Sequence, residues 1–104
     1  MTEAEILAEA VRRIRAQFAP VQIILFGSRA RGQAQTDSDY DLMVIRDDPG
    51  TWHTPGDILT ALRGLPAEFD VLVDSPAGWD KWRNFKSAIQ YQVAREGKEL
   101  FNAR

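Results

Sequence analysis

The chain has no cysteine and only one histidine among its 104 residues. That excludes a disulfide scaffold and thiolate metal sites, and it agrees with a cytoplasmic address. No apolar run approaches the roughly 20 residues needed to cross a bilayer, so no membrane partner is expected. The opening stretch, "MTEAEILAEAVRRI", is charged throughout and lacks the apolar centre of a secretory signal. An excess of positive charge is also missing: 13 Lys and Arg stand against 15 Asp and Glu, a net charge of -2. An extended nucleic-acid surface needs the opposite balance, which leaves room only for a small basic patch such as Arg29 and Arg31. Repeats, low-complexity tracts and linkers are absent. What remains is an ordinary globular composition, 44% hydrophobic and 27% charged, and a length that suits one domain over residues 1–104.

Thr2-Glu3-Ala4-Glu5 reads as a capping box, after which Leu7, Val11, Ile14 and Phe18 recur at helical spacing until Pro20. The nearly continuous apolar run from Val21 to Phe26 predicts a buried strand. A second strand is predicted from Asp39 to Ile45, with Asp39, Asp41, Met43 and Ile45 on one face and Tyr40, Leu42 and Val44 on the other. Asp47-Asp48-Pro49-Gly50 is a turn. Thr54 reads as the N-cap and Pro55 as the first residue of a short helix that Gly64 and Pro66 close. Phe69 to Val73 is a third strand, with Asp70, Leu72 and Asp74 on one face. Pro76 leads into a last helix carrying an apolar stripe of Trp82, Phe85, Ile89 and Val93, with Gly97 as its C′ residue. The fold class is therefore α/β (α+β), a small mixed sheet flanked by helices.

The segment "ILFGSRARGQAQTDSDYDLMVI" is the unusual one. Aspartates at alternate positions repel one another unless something positive sits among them. Gly27, four residues and Gly32 outline a phosphate-binding P-loop, but Gln33 and Ala34 replace its Lys and Ser/Thr. Asp37-Ser38-Asp39-Tyr40-Asp41 resembles the start of a calcium loop, yet its sixth and twelfth positions are Leu42 and Asp48. A phosphatase-type Asp-x-Asp follows its strand, whereas here the strand follows the aspartates. A different combination uses every feature. Gly27-Ser28 lies where a strand ends, so free backbone N–H groups can cradle a phosphate, with the Ser28 hydroxyl and the charges of Arg29 and Arg31 beside it. Asp39 and Asp41 have Cα atoms roughly 6.5 Å apart on one strand face. Their carboxylates can converge on hard cations, and two magnesium ions about 3.5–4 Å apart clamp both oxygens of a phosphoryl displacement. Asp70 is placed to add a third carboxylate, although Asp74 shares its face and spacing alone does not choose between them.

"GSRARGQAQTDSDYDL" resembles the Gly-Ser…Asp-x-Asp signature of the DNA polymerase β-like nucleotidyltransferase superfamily, and specifically its smallest branch, the minimal nucleotidyltransferases (MNT). "FDVLVD" and "AIQYQVAREGKELF" extend the likeness over nearly the whole chain. The resemblance implies that Gly27 and Ser28 bind nucleotide phosphates, that Asp39 and Asp41 bind magnesium, and that Asp70 completes the metal site and activates the acceptor hydroxyl. Arg31 is added as a candidate phosphate ligand. It further implies an enzyme that moves AMP from ATP onto a tyrosine of a HEPN-domain toxin, acting as its antitoxin in a hetero-oligomer. Contact-only neutralisation and transfer to a small molecule of the aminoglycoside type are the alternatives.

Several residues have plainer readings. Ser28 could serve only as a helix N-cap, Asp37 and Ser38 as turn residues, and the two arginines as solvated side chains. His53 is expected to be exposed in a polar loop. Trp82 fits the core stripe, while Tyr40, Trp52 and Trp79 are candidates for a surface that receives the partner, with covering the edge of a small core the equal alternative for Trp52 and Trp79.

Overall fold

The computed structural model describes residues 1–32, 39–51 and 53–104. Helix α1 (Glu3–Phe18) begins with the capping box: Thr2 Oγ1 accepts from the Glu5 N–H at 3.2 Å, and Glu5 Oε1 accepts from the Thr2 N–H at 2.9 Å. Two donors that a helix start leaves unpaired are thus satisfied reciprocally. Ala19 turns left-handed at φ 47°, and Pro20 cannot continue the helix. Ile6, Ala10 and Ile14, spaced by one turn, are the residues this helix buries.

The three predicted strands form as β1 (Gln22–Phe26), β2 (Tyr40–Ile45) and β3 (Phe69–Asp74). A fourth, β4 (Lys98–Asn102), follows the glycine that was expected only to end the chain's last helix. Its sequence, KELFN, has only two adjacent apolar residues, so neither alternation nor an apolar run betrays it. It lies on a sheet edge, where such a sequence is tolerated. The strand order is β3-β2-β1-β4, with β1 antiparallel to both neighbours and β2 parallel to β3. The parallel pair requires a crossover, which α3 (Thr54–Ala61) supplies. Helix α3 starts one residue earlier than a Thr54 cap would allow, with His53, exposed as expected, at the N-cap and Pro55 second in the helix.

Both sheet faces are covered, which explains why β1 and β2 read as near-continuous apolar runs. Tyr40, Leu42 and Val44 face α1 and α3 in a core with Ile23, Leu25, Phe69 and Val71. Met43 and Ile45 face the other way, joining Ile24, Trp79 and Val93 under α4 (Pro76–Trp82) and α5 (Ile89–Glu96). The face assignment of the second strand is therefore as its alternation required.

The single closing helix is corrected to two. Arg83 to Ala88, RNFKSA, interrupts it, and Asn84 and Ser87 are residues whose side chains compete for backbone hydrogen bonds. The break destroys the assumed stripe: Val93 is buried, but Trp82 is 40%, Phe85 52% and Ile89 43% exposed. Trp79, for which a partner surface and the edge of the core were both open, is 1% exposed and central to the second core. The cap at Ser75, whose Oγ accepts from the Gly78 N–H at 3.0 Å, sets the phase of α4 so that Trp79 faces the sheet. Gly97 is not left-handed: its φ is -72°. Glycine is required there because a Cβ would come within 2.5 Å of both Ile24 Cγ2 and the Val93 carbonyl.

Candidate active site

Antiparallel pairing sets the end of β1 against the start of β2, with Phe26 opposite Asp41. Parallel pairing sets the start of β3 beside the same point, with Asp41 opposite Asp70. The glycine-serine turn after β1, Asp39 and Asp41 at the head of β2, and Asp70 at the head of β3 therefore share one end of the sheet. Asp74 pairs with Ile45, four residues further along and so about 13 Å away. Its carboxylate is also engaged structurally, accepting from the Ser75 N–H at 2.8 Å and from Gln90 Nε2 at 3.0 Å. Geometry thus separates two aspartates that spacing could not.

The turn is built around Gly27, whose φ of +75° is left-handed. A side chain there would be strained, and an added Cβ would collide with Asp41 Oδ2. Glycine is needed twice, for the backbone angle and for the Asp41 carboxylate beside it. Gly27 to Ala30 form the single turn α2, whose cap position is Phe26, so Ser28 is not an N-cap. Ser28 lies half-buried inside that turn, where the first N–H groups have no intrahelical acceptor.

Arg31 follows directly. Its Nη1 donates to Glu96 Oε2 at 2.8 Å, tying the last turn of α5 to the site, and its charge also acts on Asp41. No sequence signal announced Glu96, since the pair is 65 positions apart. The Arg29 guanidinium lies 4.3 Å from the centre of the Tyr40 ring. Tyr40 is itself buried and stacks on Phe69 with centroids 5.5 Å apart, which removes it as a docking residue. Trp52, Asp37 and Ser38 lie outside the described residues.

Asp41 is half-buried, while Asp39 and Asp70 are exposed. Burial, then the charge of Asp70, then that of Asp39 raise the Asp41 carboxyl above the ordinary carboxylate range; Arg31 opposes them. Among the described residues, however, no three acidic, histidine or cysteine side chains are gathered closely enough to hold an ion as they stand. Asp41 is within electrostatic range of both Asp39 and Asp70, without the three converging on a point. Their donor set fits divalent magnesium: hard carboxylate oxygens from two paired strands, with a mutual repulsion at Asp41 that a cation would offset.

A strand, a glycine-serine turn and paired acidic strand heads in a mixed sheet define the polymerase β-like nucleotidyltransferase fold. The family model "Polymerase beta, Nucleotidyltransferase" matches residues 9–104, and the chain belongs to this family. The sequence matches no curated protein. Among solved structures, it is similar to a toxin–antitoxin crystallised with AMP-PNP, at 23% identity and TM-score 0.72, covering 92% of this chain and 73% of that one. It is also similar to an MNT antitoxin in complex with the tri-AMPylated HEPN toxin of Shewanella oneidensis, at 20% identity and TM-score 0.68, covering 97% and 73%. A protein assigned as a minimal nucleotidyltransferase matches at 26% identity and TM-score 0.66, covering 96% and 97%.

Proposed function

We propose that this chain transfers AMP from ATP to a hydroxyl, a tyrosine of a partner HEPN toxin, and so acts as that toxin's antitoxin. The observation that carries the reading is the meeting of Asp41 with both Asp70 and the Gly27 turn at one end of the sheet, in a member of the nucleotidyltransferase family. The similar structures that contain AMP-PNP or an AMPylated HEPN toxin support the choice of nucleotide and acceptor.

In this reading the backbone N–H groups of Gly27 and Ser28 bind the triphosphate, the Ser28 hydroxyl adds a hydrogen bond, and Arg31 contributes positive charge. Asp39, Asp41 and Asp70 would hold magnesium, which when bound supplies charge neutralisation at the phosphates. Asp70, exposed at the head of an edge strand, receives the proton of the acceptor hydroxyl. The hydroxyl oxygen forms a bond to the α-phosphorus as the bond to pyrophosphate breaks. The test is intact-mass measurement of the partner after incubation with this chain, ATP and Mg²⁺. Mass should rise by whole AMP units, and should not rise with Asp39→Asn or Asp41→Asn. Neutralisation of the toxin without a mass change would refute the transfer reading.

One observation favours a second reading, neutralisation by contact alone: the carboxylates do not converge among the described residues. In that case Asp41→Asn would protect against the toxin as well as the unaltered chain does.

A further inference from the structure

Four exposed apolar side chains lie in the layer that carries the carboxylates. Leu72, 40% exposed, is two residues beyond Asp70 on the same face of edge strand β3. At the far end of β3, Gln90 Nε2 donates to Asp74, which holds the first turn of α5 against the strand. Ile89 begins that turn. Phe85 and Trp82 precede it, with ring centroids 5.0 Å apart at an interplanar angle of 55°. The other end of α5 is tied to the phosphate turn by the Glu96–Arg31 pair. Ile89 and Glu96 are seven residues apart on one helix, about 10 Å. A docked protein of ordinary domain size covers that span, so one partner can sit on the patch and reach the aspartates.

The rim of the patch is basic. Lys81 Nζ lies 4.9 Å from the centre of the Trp82 ring, and Lys86, exposed, follows Phe85 directly in the sequence KWRNFK; Arg83 turns instead over the buried Trp79 ring, at 5.1 Å. Asp80, the acid nearest to them in sequence, is neutralised by Arg104 at 2.6 Å. The result is an apolar centre with a positive border in a chain whose net charge is -2. Such a surface fits a protein face that is apolar in the middle and acidic at its edge. The aliphatic members, Leu72 and Ile89, favour a protein over a polynucleotide, whose bases stack on aromatic rings.

We propose that Trp82, Phe85 and Ile89, with Lys81 and Lys86 at the border, dock the protein that supplies the acceptor hydroxyl. This rests on the transfer reading above only for what happens after docking. All five lie outside the nucleotide site, so their replacement separates binding from chemistry.

The test uses the full chain and its purified HEPN-domain partner, with affinity, modification and MgATP binding measured for each variant. Trp82→Ala with Phe85→Ala should raise the partner Kd at least tenfold, as expected of aromatic anchors. Modification at saturating partner and MgATP binding should be unchanged. Lys81→Glu with Lys86→Glu should slow association, and that effect should shrink at high salt while the aromatic effect persists. Equal binding by the unaltered chain and the aromatic variant overturns the docking surface alone. Binding through the patch without AMP transfer leaves the surface standing and overturns the transfer reading. An unaltered chain that neither binds nor modifies the partner overturns both. Self-association of the chain that Trp82→Ala abolishes would assign the patch to a second copy. Saturable binding of a mixed-sequence single-stranded RNA 20-mer that the same variant abolishes would assign it to a polynucleotide. Either of these two results also overturns the proposal.

Discussion

Replacing Gly27 by alanine tests the geometry of the candidate site with a single carbon atom. Two effects add. A non-glycine residue in the left-handed region costs about 1–2 kcal/mol, and Gly27 sits there at φ +75°. The new Cβ would also collide with Asp41 Oδ2 and come within 3.2 Å of its Cγ, forcing the carboxylate off its rotamer at about 0.5–1.5 kcal/mol. Stiffening of the unfolded chain returns about 0.4–1 kcal/mol. The net loss is then about 1.5 kcal/mol, which for a domain of this size lowers Tm by roughly 6–12 °C. Gly64→Ala is the control, because φ there is +90° and an added Cβ meets nothing within 4 Å. It should show the backbone penalty without the collision. A thermal-melt cycle with Asp41→Ala completes the assay: removing the Asp41 carboxylate should recover the difference between the two glycine variants. If Gly27→Ala costs as much with Asp41→Ala as without it, the close approach of turn and carboxylate is not what requires glycine. Nucleotide transfer should fall much more than stability does, since the displaced carboxylate is a proposed ligand.

Asp41→Asn should stabilise the metal-free chain at neutral pH by about 0.2–1 kcal/mol, the cost of like charges opposed across strands. The raised Asp41 pKa means that folding favours the protonated acid, so its contribution is complete below the unfolded value and is lost as pH rises through the folded one. The two proteins should therefore melt alike in strong acid and diverge toward neutrality, and a variant less stable at pH 7 would refute the repulsion. Trp79→Ala should cost about 3–5 kcal/mol by chemical denaturation, while Trp79→Phe should cost much less, because Trp79 is buried and its Nε1 has no hydrogen-bond acceptor among the described residues. Equal losses would mean that the indole N–H is paired. ATP should bind weakly and only with Mg²⁺ in titration calorimetry, since the proposed contacts are confined to the Gly27 turn and the carboxylates; tight binding in EDTA would place the nucleotide elsewhere.

The covalent order of residues determined more of this protein than its size suggests. Thr2 and Glu5 start a helix by pairing with each other's backbone, and Pro20 stops it; both effects are local and need no distant partner. The two faces of β2, Tyr40, Leu42 and Val44 against Met43 and Ile45, followed from the two-residue period of an extended chain, and the buried character of β1 and β2 from their apolar runs. The Gly-Ser turn and its aspartates were legible because glycine and clustered carboxylates are poor choices for stability alone.

Tertiary structure decided what depends on register and on helix phase. Asp70 and Asp74 share a strand face, and only the pairing of Asp41 with Asp70 sets one at the site while Gln90 takes the other. Arg31 found Glu96 through packing that no short-range pattern encodes. The closing segment misled because helical periodicity carries information only while the helix is unbroken. A break after Trp82 resets the phase, so Trp79 is buried and Trp82 and Phe85 are left in solvent. Strand β4 was invisible for a related reason: an edge strand draws its stability from backbone pairing with β1, and pairing places little demand on side chains.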